Sequence, residues 1–361
     1  MRQMKVFEVR RDDLHETRLV QQDFPSLGDG EVLLRVDRYA FTANNITYAV
    51  FGEAMHYWDF FPAENGWGVV PVWGFADVSA SRCEGIDVGE RFYGYLPMAS
   101  HLRVRPGQVG RSGFTDVMPH RLPLPGVYNR YARTTEDPGY RKSLEAQQML
   151  YRPLFMTSFL LDDFLAEEEF FGARELVLTS ASSKTAFSLA FLLHANQNPG
   201  IEVRGLTSSG NVDFVNGLGC YDTVTDYSKL DELPADHPTV LVDFAGSTTL
   251  RRRVHEHFGE ALRYSCSVGA SHWEEAGGSG DLPGPTPTLF FAPDRVEKRL
   301  ADWGPGGIEK RVATAWQSFL ETSRDWLEIR EAVGEEAAEQ VYKRTLAGDM
   351  SPRIGQIIVT G

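Results

Sequence analysis

The chain is 361 residues long, with 42% hydrophobic and 24% charged residues, a soluble globular composition with room for two domains at about 100–200 residues each. With 50 acidic residues against 36 Lys and Arg, the formal charge is −14, which argues against broad electrostatic binding to nucleic acid and against a polybasic membrane anchor. Three widely separated cysteines, Cys83, Cys220 and Cys266, exclude a disulfide framework and a four-cysteine zinc site. Free thiols, a start (Met-Arg-Gln-Met-Lys-Val-Phe) without an apolar signal run, and no apolar stretch near the ~18 residues of a membrane span predict a cytoplasmic protein.

The first hundred residues read as short strands and turns. Glu31–Asp37 alternates as a strand after the Leu27-Gly28-Asp29-Gly30 turn, Phe75–Ser81 is a second, and Ile86–Tyr95 gives a turn followed by a third. No helical period is visible there. Residues 105–150 mix Pro, Gly, Arg and Tyr without periodicity and leave three readings open: a solvated insertion, a loop closing over a site, or an oligomer contact. From about residue 152 helix and strand alternate. A helix is expected over Phe155–Phe170, then a continuous apolar strand at Glu175–Ser180 and a helix at Ser183–Ala195. Strands at Ile201–Leu206, Thr223–Asp226, Thr239–Phe244 and Leu262–Ser267 continue the series, with a helix at Val212–Leu218. That order predicts an α/β, doubly wound parallel sheet with its ligand site at the carboxyl ends of the strands. Gly277–Pro285 reads as a loop, followed by helices at 307–331 and 335–347 and a closing strand at Gly355–Thr360.

The first wound strand runs into Ser180-Ala181-Ser182-Ser183-Lys184-Thr185. There is no Gly-x-Gly-x-x-Gly, but small side chains permit a close approach, hydroxyls add donors, and a helix N-terminus there favours an anion. Lys184 in that first helical turn opposes the helix dipole, and a bound phosphate would explain it. The second strand ends in Thr207-Ser208-Ser209-Gly210-Asn211, with no acidic residue to hold a ribose 2′-hydroxyl. That pattern favours NADP(H) over NAD(H), although Ser208 or Ser209 could equally cap a helix. Residues 51–75 hold eight aromatics, and Tyr57, Trp58, Phe61 and Trp73 among them could wall a flat or apolar substrate, pack an ordinary core or form an interface. His56 is an acid/base candidate beside them. His255 and His257, two apart on a helix, make a poor metal pair.

These features resemble the medium-chain dehydrogenase/reductase superfamily. Gly30-Glu31-Val32-Leu33-Leu34-Arg35-Val36 is similar to its opening GEVLVRV, and Gly85–Phe92 to its GxxVGDRV turn. Leu218–Tyr227 resembles LGADxVIDY, Val242–Gly246 the strand-four DxxG, and Gly355–Val359 the closing GKIVL. Trp73–Val78 and Tyr93–His101 resemble a divergent bacterial branch of unassigned function. The resemblance implies a GroES-like β-rich domain at 1–151 with a return at 320–361, and a Rossmann-type NADP-binding domain at 152–319. It adds Tyr227, Ala245, Gly246, Val268 and Gly269 to the cofactor set. Where zinc-dependent members carry a catalytic Cys and a Gly-His-Glu, this chain has Phe41–Asn45 and Trp73-Gly74-Phe75, so the resemblance is to the zinc-free quinone and enoyl reductases, with no metal. Their Asn-x-x-Asp-x-Tyr segment points to Asn44, Asn45 and Tyr48, of which Tyr48 matches best, with Ile46 at the Asp position. Tyr48 would donate a proton or stabilise developing enolate charge, unless it is an ordinary half-buried tyrosine.

The implied function is NADPH-dependent transfer of a hydride to an activated alkene, enone, quinone or carbonyl of a small, apolar or aromatic substrate. Relatives pair through an edge strand, and Thr286–Phe291 could supply one for a homodimer. Two other readings stay open: an NADP(H)-binding sensor or structural protein with little turnover, and a protein whose Ser-rich turn holds another phosphorylated or acyl ligand.

Overall fold

The computed structural model describes residues 3–196, 198, 200–268, 282–304 and 306–361. The chain divides into two compact units, Met1–Leu150 with Glu328–Gly361, and Tyr151–Leu327. In chain order the first unit builds β1 (Met4–Arg10), β2 (Thr17–Gln22), β3 (Val32–Ala40), α1 (Ala43–Val50), β4 (Trp67–Gly68), β5 (Pro71–Ser81), β6 (Arg91–Pro97), β7 (His101–Val104), β8 (Pro106–Gly110), β9 (Gly113–Asp116) and β10 (Arg130–Arg133). Helix α2 (Glu145–Glu167) leads into β11 (Glu175–Leu178), α3 (Lys184–Ala195), β12 (Glu202–Thr207), α4 (Val212–Leu218), β13 (Thr223–Asp226), β14 (Thr239–Asp243), α5 (Thr248–Phe258), β15 (Leu262–Ser267), β16 (Thr288–Leu289), α6 (Ala292–Trp303) and α7 (Gly307–Thr322). The chain closes with β17 (Glu328–Val333), α8 (Glu335–Leu346) and β18 (Ile354–Val359).

In the first unit nine strands form one sheet, ordered β17-β18-β3-β5-β6-β10-β9-β8 with β7 also on β3, and β2-β1-β4 form a smaller one. The last strand, β18, lies antiparallel to β3 with Ile358 opposite Tyr39. Three expectations are corrected here. Residues 105–150 are not a structureless stretch: β8, β9 and β10 add to the large sheet, with Phe114 stacked on Tyr131 at 5.0 Å. The predicted helix over 307–331 stops at Thr322, and β17 follows as a sheet edge, so the return to the first unit begins at Glu328. The β-rich half also contains a helix. In α1 the β-branched Ile46, Thr47 and Val50 obscure the period, but a capping box fixes its start: the Thr42 N–H donates to Asn45 Oδ1 at 2.8 Å and Thr42 Oγ1 accepts from the Asn44 amide at 3.3 Å.

In the second unit six parallel strands run in the order β13-β12-β11-β14-β15-β16. Counted within the unit this is 3-2-1-4-5-6, the doubly wound order expected from the sequence, with the reversal between β11 and β14. Both are buried along their whole length, as continuous apolar strands covered on two faces must be. Val177 and Leu241 of these strands pack with Leu206, Leu230, Val254, Phe258 and Leu262 in one core cluster. Each such side chain stabilises by about 1.5–3 kcal/mol on burial. The edge strand β16 is short, and its Leu289 is exposed. Among the described residues no helix is long and apolar enough to cross a membrane. The loop expected around Gly277–Asp281, and Gly269 of the cofactor set, lie outside the described residues.

Candidate functional site

At the carboxyl end of β11, Ser180 takes a left-handed backbone conformation, φ 47°, where glycine would be free of strain. An L-residue there costs roughly 1–2 kcal/mol, so neighbours must hold it. The Ser180 N–H donates to the Tyr227 hydroxyl at 2.9 Å, the Ala181 N–H donates to the Leu206 carbonyl at 3.0 Å, and the Tyr221 hydroxyl donates to the Ala181 carbonyl at 2.9 Å. Opposite them Gly205 must be glycine, because a Cβ there would lie 2.8 Å from that of Ala181. Two tyrosines and a strand glycine thus shape a turn that lacks a glycine signature of its own.

Ser183 caps α3, its Oγ accepting from the Ala186 amide at 3.3 Å. Among the described residues the backbone amides of Ser182, Lys184 and Thr185 have no acceptor, and the Lys184 ammonium has no anionic partner. Burial pushes the Lys184 pKa down from 10.5 to about 8. A desolvated cation beside three open amides at a helix N-terminus is an electrostatic seat for an anion. Asn211 joins this turn to the end of β12, its Nδ2 donating to Ser208 Oγ at 3.1 Å and Ser182 Oγ at 3.3 Å. Thr207 is buried, Ser208 and Ser209 are exposed, and residues 207–211 contain no carboxylate. Asp226, opposite Thr207 on β13, uses its Oδ1 to cap the following turn through the Ser228 amide at 2.8 Å.

At the end of β14 sequence reasoning singled out Ala245 and Gly246 but missed what holds them. Asp243 is buried, and its Oδ1 accepts from the amides of Ala245 (3.0 Å) and Gly246 (3.2 Å) and from the Thr179 hydroxyl (2.8 Å). Its Oδ2 accepts from Arg251 Nε at 2.9 Å, while Thr179 Oγ1 takes the Phe244 amide at 2.9 Å. This network locks the two turns that flank the strand-order reversal. The Val268 amide donates to the Asp243 carbonyl at 2.9 Å, tying in the end of β15.

In the first unit Tyr48, Tyr57, Trp73, Tyr95 and Tyr128 pack together, with ring centroids 4.7 Å apart for Tyr48–Tyr57, 5.5 Å for Tyr48–Tyr95 and 4.8 Å for Tyr95–Tyr128. Tyr48 lies on α1 rather than on a strand, and its hydroxyl accepts from Trp73 Nε1 at 3.2 Å. Burial raises its pKa, so it is a neutral donor at physiological pH. Asn45, expected in a catalytic role, is a structural cap: besides accepting from Thr42, its Nδ2 donates to the Pro71 carbonyl at 2.9 Å, so both ends of the amide are engaged. Trp58, expected in a substrate wall, is core. Only 1% of it is exposed, and it lies against Gly52 and Gly68, where any Cβ would fall within 2.5 Å of the indole. Phe61 is likewise buried, over the Arg121 guanidinium. His56 is exposed and paired with Asp59 at 2.9 Å.

Arg121 was not anticipated. Wholly buried, it donates to Asn129 Oδ1 (2.8 Å), the Phe60 carbonyl (3.3 Å) and the Tyr128 carbonyl (2.9 Å), and lies over the Phe60 ring at 5.0 Å. It fixes the Tyr128 turn onto the aromatic cluster.

The family model described as a protein of unknown function (DUF2855) matches residues 39–351. The chain belongs to that family. No curated protein matches it in sequence. Among solved structures it is similar to CurA from Vibrio vulnificus in complex with NADPH, at 13% identity, 99% coverage of both chains and a TM-score of 0.65. It is also similar to the yhdH oxidoreductase from Salmonella enterica in complex with NADP, at 14% identity over 98% of this chain and 99% of that one, TM-score 0.53. The quinone oxidoreductase from Coxiella burnetii matches at 12% identity over 99% of both chains, TM-score 0.53. The chain shares its fold with these structures over nearly its whole length.

Proposed function

We propose that the protein is an NADPH-dependent, zinc-independent reductase of small apolar substrates. The observation that carries this reading is the seat at the end of β11, with a desolvated Lys184 and three open amides at the reversal point of a 3-2-1-4-5-6 sheet. That donor set fits a dinucleotide phosphate. Lys184 and the amides of Ser182 and Thr185 would hold the pyrophosphate. Thr207, Ser208, Ser209 and Asn211, with no carboxylate among them, would accommodate a 2′-phosphate, and Tyr227, Ala245, Gly246 and Val268 would line the rest. Similarity of fold to structures described with NADPH and NADP supports the same cofactor. When bound, the cofactor supplies a hydride. In the first unit Tyr48 is the proton donor, a phenol that burial keeps neutral and whose oxygen receives the Trp73 N–H. Tyr57 and Trp73 contact the substrate; Asn45, Trp58 and Phe61 hold the structure around them.

One observation favours a second reading. The Ser180 amide is already engaged by Tyr227, which fits a cofactor-binding protein with little turnover. Titration with NADPH and NADH by calorimetry, followed by NADPH oxidation with a panel of enones and quinones, separates the two. Preference for NADPH with sustained oxidation above the blank supports the reductase. Binding without oxidation supports the second reading, and no binding of either nucleotide overturns both.

A further inference from the structure

The aromatic cluster of the first unit contains hydroxyl groups whose hydrogen-bonding capacity is not used up within it. The Tyr95 hydroxyl is wholly buried and has no partner, which in a protein interior normally costs about 1–3 kcal/mol. The Tyr48 oxygen accepts from Trp73, and the Asn44 side chain also approaches this hydroxyl. Tyr57 and Tyr128 share one bond at 3.3 Å, so whichever donates, the proton of the other is left over. Burial raises the pKa of all four phenols, keeping them protonated and neutral. Among the described residues the cation that faces them, Arg121, is occupied by Asn129 and by the carbonyls of Phe60 and Tyr128. Trp73 and Tyr128 are partly exposed, which gives the cluster an open side.

From the unpartnered Tyr95 hydroxyl and the leftover proton of the Tyr57–Tyr128 pair we infer that Tyr95, with Tyr128, forms a neutral donor seat for the carbonyl oxygen of a flat, apolar ligand, and that Tyr95 is the residue that sets specificity for that oxygen. A neutral acceptor completes the unpaired phenol. A carboxylate or phosphate would enter an apolar site with no counter-charge and is rejected. The inference deepens the reductase reading by naming the group its substrate presents, but its physical basis needs no cofactor.

The experiment uses the full chain without nucleotide. Acetophenone, its isostere α-methylstyrene (which lacks the oxygen) and benzoate are titrated by ligand-observed NMR against the wild type and Tyr95→Phe. Expected are acetophenone binding at least tenfold tighter than α-methylstyrene, no benzoate binding, and a loss of about tenfold for acetophenone alone in Tyr95→Phe. The urea midpoint of Tyr95→Phe should be unchanged or higher, since an unpaired hydroxyl is removed. Equal affinity for the two neutral probes, no binding of either, or an unaltered acetophenone affinity in Tyr95→Phe overturns the seat. So does a lowered urea midpoint, which would mean that a bound water already serves the hydroxyl. An NADPH titration run in parallel keeps the two readings apart. Acetophenone binding without NADPH binding sinks the reductase and leaves the seat standing, and the converse sinks the seat alone.

Discussion

The turn after β11 and the aromatic cluster both leave polar groups unpaired, but they do so on opposite terms. In the turn the unpaired groups are a cation and backbone amides, placed where a helix dipole adds to the same positive potential. In the cluster they are neutral phenols, and the buried Arg121 nearby is engaged by Asn129 and by the Phe60 and Tyr128 carbonyls. The first arrangement selects for charge and the second against it. Structural groups at each place are saturated: Asp243 beside the turn, Arg121 and Asn45 beside the cluster. At these two places the bonded groups hold the fold and the unbonded ones are left for a ligand, a distinction that does not extend to buried, unpartnered atoms elsewhere such as Gln148 Nε2 and Asp162 Oδ1.

The largest effect is expected where that distinction is broken on the structural side. Arg121→Ala removes the donors to Asn129, Phe60 and Tyr128 and leaves the buried Asp116 carboxylate, 3.9 Å away, without its cation. Urea unfolding should show a loss of about 3–5 kcal/mol. A loss below about 1 kcal/mol would mean that the turn carrying Tyr128 is held by other contacts. Tyr48→Phe tests the functional side of the same region. It removes only a hydroxyl, so turnover should fall about 100-fold or more, the scale of a lost general acid, with NADPH affinity unchanged. A drop in cofactor affinity at constant turnover would exchange the roles assigned to Tyr48 and Lys184.

The centre of the second unit was legible from sequence because β11 and β14 are apolar runs buried on both faces and two of its helices begin at side-chain caps, Ser183 for α3 and Ser247 for α5. The first unit was not, for three physical reasons. The cap of α1 uses Asn45 in place of the usual acidic partner, and its β-branched residues imitate a strand. Residues 105–150 are organised by a buried Arg121 and short strand pairs, neither of which leaves an apolar period. Strand β17 is an exposed edge with polar residues on both faces, so it looked like more helix. For the site, the aromatic enrichment of residues 51–75 was visible, but Tyr95 and Tyr128 join it through the β5–β6 pairing and the Arg121 turn, which only the fold creates. At the β11 turn the serines and Lys184 were readable. The Tyr221, Tyr227 and Asp243 bonds that shape the turns around them were not.

Lys184→Met sharpens the comparison because stability and binding should move in opposite directions. NADPH affinity should fall roughly ten- to hundredfold, the value of a charge-assisted hydrogen bond to phosphate. The nucleotide-free protein should become more stable. The folded pKa, about 8, lies below the unfolded value of 10.5, so between them the unfolded chain binds more protons and wild-type stability rises with pH. Below about pH 8 the full cost of holding the charged amine is present. The advantage of Lys184→Met in urea unfolding should therefore be greatest below about pH 8 and vanish near pH 10.5. A variant less stable than wild type at pH 7 would show that Lys184 has a structural anion partner.

The smallest effect is expected at the rim of the same site. Ser209 is exposed at the end of β12, where residues 207–211 carry no carboxylate. Ser209→Glu places a negative charge there without disturbing a buried bond, so the unfolding midpoint should not change. The charge repels a 2′-phosphate and can accept from a 2′-hydroxyl, so the NADPH:NADH affinity ratio should fall by about tenfold. Both affinities falling together would place the new carboxylate against the pyrophosphate instead. An unchanged ratio would move the 2′-phosphate away from β12, toward Lys229 in the turn after β13, and Lys229→Ala would then carry the loss that Ser209→Glu failed to produce.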